Sequence, residues 1–238
     1  MVVWCYLLTS SRALRGAGPL VNRLRRTSPR IVSPVFSSSS FSSDVSSEKK
    51  KLVLVAIADG SEEIETSCIS DTLVRAGAAV TIASANADGS TTVTMSRGLR
   101  ILADAHVDAL QVTDWDLVAI PGGMPGASNL ANSTTLKDIL LAQQKAKRPL
   151  GAVCAAPAVV FEPLGLLAGK SATCYPAFQP ALGDSLRLED VVVDENIVTS
   201  QGPGTSLKFA LALVRQLYGE TMQHQIAQQM LVDLHSEK

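Results

Sequence analysis

The order of apolar and polar positions divides most of the chain into alternating strands and helices. Residues 49–60 form a nearly continuous apolar run, which is typical of a strand buried on both faces of a parallel sheet. In residues 61–77 the apolar positions recur at roughly helical spacing, with Ser61 available as an N-cap and Gly77 as a stop. Residues 78–85 form a second apolar run. The segment therefore opens as a β-α-β unit, whose crossover is nearly always right-handed.

The same alternation continues toward the end of the chain. The pattern predicts buried strands at 115–123 and 171–176, strand pairs at 91–104 and 188–201, a strand, turn and helix at 148–169, and helices at 133–148, 203–219 and about 220–232. Strands that alternate with helices indicate a mostly parallel sheet covered by helices on both faces. The sequence therefore predicts a flavodoxin-like, three-layer α/β/α sandwich.

Composition and charge exclude some classes of function. The chain has 238 residues, 46% of them hydrophobic and 18% charged, which is enough apolar surface for one core. Residues 1–43 hold six Arg and no acid, whereas residues 44–238 hold 15 Lys and Arg against 22 Asp and Glu, a formal charge of −7. A domain this acidic lacks the electrostatic surface that binds nucleic-acid phosphates. The four cysteines follow no zinc or disulfide pattern, so we expect no metal site and free thiols, with Cys68 and Cys174 packed in the core.

The first 47 residues differ from the rest in composition. They are rich in Arg and Ser and poor in acid, which is typical of an organelle transit peptide, and their first apolar stretch is too short to span a membrane. The Ser-rich stretch favours the chloroplast, whereas the arginine spacing favours the mitochondrion. A secretory signal, or a disordered tail that leaves the protein in the cytosol, are the alternatives. We expect the folded domain at residues 48–235 and exclude Cys5 from the site.

Cys154 lies where a predicted strand passes into a predicted helix, in the segment GAVCAAPA. Ligand sites of such sheets lie beyond the carboxyl ends of the strands, and a residue at this switch projects into the crevice, as a nucleophile-elbow serine does. The N-terminus of the following helix would stabilise a thiolate and lower the pKa of Cys154. A cysteine that packs as a small hydrophobic residue is the alternative, and it fits a mid-element position better. We therefore predict a reactive thiol.

Two glycines follow another predicted strand, in the segment IPGG. Gly122 and Gly123 allow the backbone to approach closely and to turn its amides inward. With the amide of Ala155 they could form an oxyanion hole. Taken alone, the glycine pair is explained as simply by a tight turn.

Three acidic residues occupy the first turns of the first predicted helix, where the helix dipole favours negative charge in any case. Glu65 differs from the other two because it has an apolar neighbour on each side of its turn, Ile64 and Ile69. We therefore expect it to be partly buried, with a raised pKa.

No histidine is placed to act as the base of Cys154. His106 falls away from the predicted strand ends, and His224 and His235 lie toward the C-terminus. A Cys–His hydrolase would therefore lack its base.

Six motifs, in this order, resemble the DJ-1/PfpI superfamily, and most of all its plant branch of Parkinsonism-associated deglycase homologues. They are IADGSEEIET, SRG at residues 96–98, IPGGMPGASNL, AVCAAPA, ATCYP and TSQGPGTSLKFALA. The resemblance covers about residues 49–233 and implies a class I glutamine amidotransferase-like sandwich. It also implies a homodimer that needs no cofactor. We expect no nucleic-acid or membrane partner.

The resemblance assigns roles to individual residues. Cys154 matches the oxidisable nucleophile, and Glu65 matches the acid that hydrogen-bonds this thiol and moves a proton. The remaining matches are Gly123 and Ala155 as backbone donors, and Gly122, Tyr175, Arg75, Arg97 and Pro203 as residues of the pocket, its rim or the dimer contact. The activity implied is a glutathione-independent glyoxalase or a deglycase acting on methylglyoxal or glyoxal. The alternative is a non-enzymatic redox sensor or chaperone controlled by oxidation of the same cysteine.

Two departures from the family pattern affect these expectations. Tyr175 stands where animal relatives have His, and because tyrosine titrates near pH 10 it is a poor general base. Plant relatives often carry two tandem domains, whereas this chain has one, so we expect a partial or divergent form. A protease or glutamine amidotransferase shares the fold but would require the missing His.

Overall fold

The computed structural model describes residues 49–112 and 115–234. Its elements are β1 (Leu52–Ile57), α1 (Glu63–Arg75), β2 (Ala79–Ser84), β3 (Thr92–Thr94), β4 (Arg100–Leu102), β5 (Ala105–His106), β6 (Leu117–Ile120), α2 (Gly126–Asn132), α3 (Thr134–Lys145), β7 (Leu150–Val153), β8 (Val191–Asp194), β9 (Ile197–Ser200), α4 (Ser206–Tyr218) and α5 (Glu220–Gln229). The predicted transit segment 1–47, with Cys5, and also His235 lie outside the described residues. The domain boundaries at 48 and 235 stay a prediction.

Within the described residues, seven strands form one sheet in the order β5-β2-β1-β6-β7-β9-β8. Every pair in it is parallel except β8 with β9, the predicted hairpin, while β3 and β4 form a separate antiparallel pair. The flavodoxin-like α/β sandwich is therefore confirmed. None of the helices in the described ranges combines the length and the apolar character needed to cross a bilayer.

The two faces of the central strand β1 belong to two separate cores. Leu54 packs in one core with Ile139 of α3, and Val55 packs in the other with Ile69 of α1 and Phe209 of α4. All five side chains are fully buried. Each such side chain contributes about 1.5–3 kcal/mol relative to exposure, so this strand organises the sheet that carries the site.

The predicted N-cap of the first helix is wrong by one residue. Glu62 caps α1, because its Oε2 accepts a hydrogen bond from the Glu65 N–H at 2.8 Å. The Ser61 hydroxyl instead accepts from the Ala58 N–H at 3.0 Å and closes the turn that follows β1. The helix therefore starts with an acidic side chain folded back onto its own first turn.

The strand predicted at 171–176 does not form, and only an isolated bridge joins Ala172 to Leu186. The Thr173 N–H donates to the Thr199 hydroxyl at 2.9 Å, and the Tyr175 N–H donates to the Cys154 carbonyl at 2.8 Å. Both N–H groups therefore bond to residues near the site and not to a neighbouring strand. The segment is a loop, and this loop positions Tyr175.

The helix predicted within 148–169 is also different. A five-residue π-helix, Pro157–Phe161, follows the Cys154 turn, and turns complete the segment. The structure adds a short α2, a two-residue β5 and a 3₁₀ segment at Pro176–Ser185 that the sequence pattern did not predict. The α2 helix and the 3₁₀ segment are rich in turn-forming residues, and β5 has only two residues. None of them therefore shows a clear periodicity of apolar positions.

Candidate active site

Cys154 directly follows β7 and has a positive φ of 64°. This backbone region is uncommon for a residue with a Cβ atom, and it turns the chain sharply toward the π-helix. The Cys154 N–H donates to the Ser200 carbonyl at 3.0 Å, and the Cys154 carbonyl accepts from Tyr175. The predicted sharp turn is confirmed, and its neighbours hold it in a conformation that costs about 1–3 kcal/mol.

The loop that follows β6 packs directly against this turn. A Cβ atom on Gly122 would lie 2.6 Å from the Cβ of Cys154 and 2.7 Å from the Ala155 nitrogen, so the close approach requires glycine. The Gly122 N–H donates to Glu65 Oε2 at 2.7 Å, and Gly123 has φ +85°, a left-handed conformation that favours glycine. The glycine pair therefore connects the buried acid to the cysteine and is more than a tight turn.

Glu65 is fully buried, although it carries a carboxyl group. Burial raises its pKa from 4.5 to about 7, against the lowering effect of the hydrogen bonds from Gly122 and Cys154. The predicted burial and raised pKa of Glu65 are confirmed. The sequence predicts them from two apolar neighbours, Ile64 and Ile69, and only one of these is buried. Ile69 is buried, whereas Ile64 is 53% exposed. The loop at Gly122, and not Ile64, therefore covers the Glu65 carboxyl group.

Cys154 is 9% exposed, and its thiol accepts hydrogen bonds from the N–H groups of Gly123 and Ala155. These bonds favour the thiolate, but burial and the negative charge of Glu65 outweigh them and raise the pKa of Cys154 to about 12. The predicted lowering of this pKa is therefore wrong. The helix after Cys154 has only five residues, so its dipole is too small to offset burial.

Glu65 and Cys154 titrate as a pair because each group shifts the pKa of the other. The pair holds two protons below about pH 7 and one proton between about pH 7 and about pH 12. The contact between them is poorly aligned, since Glu65 Oε1 is buried and has no partner of regular hydrogen-bond geometry. Above about pH 7 the pair therefore combines one negative charge, on Glu65, with one proton, on the Cys154 sulfur.

A cavity of about 340 Å³, here called the cysteine cavity, opens above this pair. Six predicted site residues line it: Arg97, Gly123, Cys154, Ala155, Tyr175 and Pro203. Glu65 and Gly122 are not among the lining residues, and they support the cysteine from behind. The structure thus brings together eight of the nine residues proposed from the sequence.

Arg75 is the residue that the structure places elsewhere. It lies in the last turn of α1, where its Nε contacts Asp71 Oδ2 at 2.7 Å on the protein surface. Arg97 lies at the cavity, and its backbone N–H donates to the Glu63 carboxylate at 2.9 Å. The pocket role assigned to Arg75 is therefore not supported within one copy of the chain.

Four further residues line the cysteine cavity: Glu62, Ser96, Met124 and Phe178. Ser96 and Met124 adjoin predicted site residues inside the recognised motifs, so motif proximity could have found them. Phe178 belongs to the 3₁₀ segment, which has no periodic signal, and only the tertiary structure reveals it.

A second cavity, here called the polar cavity, also measures about 340 Å³ and lies at the carboxyl ends of β2 and β5. His106 lines it, with Nε2 at 2.9 Å from the Asn86 carbonyl. No described histidine lines the cysteine cavity, as the sequence predicted. No group of three or more His, Cys, Asp or Glu in residues 49–112 and 115–234 is arranged to hold a metal ion.

The other described cysteines are also free thiols. Cys174 is fully buried, and Cys68 is half-buried on α1. Neither lines the cysteine cavity. The predicted core packing is confirmed for Cys174, whereas Cys68 belongs to neither core.

Comparison with known proteins gives a family match and close relatives. The model of the DJ-1/PfpI family matches residues 51–216. Protein DJ-1 homolog B of Arabidopsis thaliana is 41% identical over 227 residues, which is 95% of this chain and 50% of the relative. Homolog A of the same plant is matched over 46% of its length. The chain therefore spans about half the length of these two curated relatives.

One further relative and one solved structure bear on function. Glutathione-independent glyoxalase DJR-1.2 of Caenorhabditis elegans is 34% identical over 74% of this chain and 92% of its own length. The structure of oxidized Toxoplasma gondii DJ-1 is 41% identical, with a TM-score of 0.74, over 76% of this chain and 98% of that chain.

Proposed function

The chain belongs to the DJ-1/PfpI family, and from this premise we propose that it is a cofactor-independent glyoxalase or deglycase-type enzyme that acts on methylglyoxal or glyoxal through Cys154. The observation that carries the proposal is the geometry of two residues: Cys154 lies at the floor of a cavity, and the fully buried Glu65 carboxyl supports it from behind through the Gly122 loop. A relative named a glutathione-independent glyoxalase supports this class of reaction.

The first step is addition of sulfur to the aldehyde carbon. The Glu65 carboxylate takes the proton of the Cys154 thiol while the sulfur forms a C–S bond to the aldehyde carbon, and the electron pair of the C=O π bond moves to the aldehyde oxygen as negative charge. The N–H groups of Gly123 and Ala155, which point at the sulfur in the free protein, are placed to stabilise this oxyanion. Protonation of the oxyanion by Glu65 gives a neutral hemithioacetal and leaves Glu65 as a carboxylate.

The second step moves a proton between the two substrate carbons. The Glu65 carboxylate removes the proton from the former aldehyde carbon and delivers it to the neighbouring carbon. The hydroxyl proton on the former aldehyde carbon passes to the neighbouring oxygen, so that the first oxygen becomes a carbonyl and the second an alcohol. The product of this step is a thioester on Cys154, and water cleaves its C–S bond to release the 2-hydroxy acid and restore the thiol. A carboxyl group with a pKa near 7 suits this role because it exchanges protons readily at neutral pH.

Tyr175 does not act as a base in this scheme. Its backbone N–H supports Cys154, and its ring lies at the cavity with 44% of the residue exposed. Glu65 supplies all of the proton transfer, so the absence of a histidine at this position does not remove an essential group.

The test is production of lactate from methylglyoxal without glutathione. We expect turnover by the wild type and a loss of at least about 10³-fold in Cys154→Ala and Glu65→Gln, since both groups act in the same unit. Cys68→Ala removes a thiol outside the cavity and serves as the control, with turnover within about twofold of the wild type. Undiminished lactate production by Cys154→Ala would contradict the proposal.

A redox sensor is the second candidate, because a structure of a 41% identical neighbour is described as oxidized. In this role two equivalents of peroxide convert the Cys154 thiol into a sulfinic acid and are reduced to water. Protonated Glu65 would donate a hydrogen bond to the sulfinate. Mass spectrometry after mild peroxide treatment tests it: two oxygen atoms should be gained at Cys154 before Cys68 or Cys174, and unselective oxidation would rule it out.

We also propose a homodimer. The apolar residues Ile64 and Val74 on α1 and Leu99 and Leu102 near β4 are each at least half exposed, which is unusual for large apolar side chains that have no partner. Arg75 lies at the end of the same helix α1. A monomeric mass in light scattering would contradict this assembly.

Delivery to the chloroplast is likewise a proposal. The Arg-rich and Ser-rich composition of residues 1–47 supports it, with the mitochondrion as the competing destination. Residues 1–47 fused to a fluorescent protein in plant cells should direct it to plastids. Fluorescence in mitochondria or in the cytosol would overturn this.

A further inference from the structure

The floor and the mouth of the cysteine cavity differ in polarity. The floor is formed by the Cys154 thiol and the backbone donors at Gly123 and Ala155. The mouth is the exposed part of the lining, where Met124 is 48% exposed and Tyr175 is 44% exposed, beside the exposed Arg97. Exposed apolar surface beside a reactive group is surface that a bound molecule can cover.

The cavity is also large for a molecule as small as methylglyoxal. Its volume of about 340 Å³ lies within the range, roughly 300–1,000 Å³, of sites that enclose larger organic ligands. A reacting carbonyl bound to Cys154 would occupy only the floor. A substituent larger than methyl on that carbonyl would extend toward Met124 and Tyr175.

Charge at the cavity argues for a neutral substituent. The charged side chains that line it are Glu62 and Arg97, one of each sign. Glu62 is already used as the cap of α1, and Arg97 donates to the Ser96 carbonyl at 3.3 Å. The lining therefore sets no net preference for an anionic or a cationic group.

The aromatic residue at the mouth has a fixed backbone, and its ring packs against Gly202 in the absence of a ligand. The Tyr175 N–H is fixed by the Cys154 carbonyl, and the ring lies over Gly202, where an added Cβ would be 3.3 Å from Tyr175 Cδ2. Phe178, in the segment that follows, lines the same cavity. A pre-positioned aromatic side chain binds an apolar group with little loss of conformational entropy.

From these observations, and resting on the proposed function, we infer that the cysteine cavity takes two-carbon oxoaldehyde or 2-hydroxy acid groups that carry an apolar, preferably aromatic, substituent larger than methyl. Met124 and Tyr175 are the specificity-determining residues. The substituent packs on these side chains while the reacting carbons face Cys154.

The first test is a binding measurement that needs no turnover. Titration calorimetry with 3-phenyllactate and lactate should give the wild type about 10-fold tighter binding of the phenyl compound, because the ring covers apolar surface at the mouth. Tyr175→Ala and Met124→Ala should each reduce this preference about threefold or more, whereas Tyr175→Phe should retain it. Equal affinities for the two acids in the wild type, or no binding of 3-phenyllactate, would overturn the inference.

A matched control is available on α3. Leu141 has the same exposed fraction as Tyr175, 44%, but does not line the cavity, so Leu141→Ala should keep the full preference. A preference lost equally in Leu141→Ala would mean that general apolar surface, and not this mouth, binds the ring.

Turnover separates this inference from the proposed function. The ratio of kcat/KM for 3-phenyl-2-oxopropanal over methylglyoxal should be about 10 in the wild type and should fall in Tyr175→Ala. Turnover of methylglyoxal without any preference for the phenyl substrate overturns the inference and leaves the glyoxalase proposal standing. A binding preference in a protein that turns over neither aldehyde supports the inference and contradicts the glyoxalase.

Discussion

The cysteine cavity and the polar cavity have the same volume, about 340 Å³, and both lie at the carboxyl edge of the sheet. They differ in how their polar groups are satisfied. In the polar cavity, His106 contacts Asn86, the Thr135 hydroxyl donates to Asp108 at 2.5 Å, and Asn129 donates to the Asp59 carbonyl at 2.8 Å. Behind the cysteine cavity, a fully buried carboxyl group has one oxygen without a partner of regular hydrogen-bond geometry, beside a strained cysteine.

The difference shows that the position of a cavity in an α/β sheet does not by itself predict reactivity. A polar group that forms a hydrogen bond within the protein stabilises its loop modestly, because the bond slightly outweighs the one that the group would make to water. An unsatisfied buried group costs free energy, and burial moves the pKa of the Glu65 carboxyl up to about 7, where a group exchanges protons readily at neutral pH. We therefore expect substitutions in the cysteine cavity to change chemistry and those in the polar cavity to change only stability.

The largest effect is expected where the backbone packs closest. Gly122→Ala places a Cβ 2.7 Å from the Ala155 nitrogen, so the loop or the Cys154 turn must shift, and we expect a loss of about 4 kcal/mol in the free energy of unfolding. Gly89→Ala in the polar cavity is the control. Nothing lies within 4 Å of its added Cβ, and its φ of +76° alone should cost about 1 kcal/mol. Equal losses in urea denaturation would contradict the comparison.

The buried carboxyl group should make stability depend on pH. In the unfolded chain Glu65 ionises near 4.5, whereas in the folded protein its pKa is about 7, so the folded state binds the proton more tightly. Stability from this group is full below pH 4.5 and is lost as the pH rises through 7, by about 3 kcal/mol in total. The free energy of unfolding of the wild type minus that of Glu65→Gln should fall by this amount between pH 4 and pH 8. A constant difference would show that Glu65 is not desolvated.

Activity should rise with pH, whereas the stability contributed by Glu65 falls. Below about pH 7 the Glu65–Cys154 pair holds two protons and contains neither a thiolate nor a base, so kcat/KM should fall about tenfold per pH unit. The profile should rise through pH 7 and stay level above it, since the second proton leaves only near pH 12. A profile that is flat between pH 5 and pH 8 would place the functional titration outside this pair.

The smallest effect is expected in the polar cavity. His106→Ala removes the contact with Asn86 and the acceptor for the Asp108 N–H, and should cost about 1 kcal/mol of stability. Lactate production should remain within about twofold of the wild type, because this histidine does not line the cysteine cavity. A strong loss of turnover in a stably folded His106→Ala protein would transfer the catalytic role to the polar cavity.

Much of the fold follows from local patterns. The apolar run of β1 predicts a strand buried on both faces, and the hairpin β8–β9 follows from alternation around a polar turn. The patterns fail at residues 171–176, where the N–H groups of Thr173 and Tyr175 bond to partners that are distant in sequence. A six-residue window contains no information about Thr199 or Cys154, so the competing hydrogen bonds could not be predicted.

For the site, the sequence by itself determined which chemical groups are available: a cysteine at a strand end, an acid in the first turn of α1, and a pair of glycines after β6. Local composition decides these features because turns and helix starts depend on residues that are close in the chain. Only the tertiary structure decided that Gly122 bonds Glu65, that burial raises both pKa values of the Glu65–Cys154 pair, and that Arg75 lies away from the cavity. Desolvation depends on what surrounds a group in space, and those neighbours come from segments that the chain brings together only when it folds.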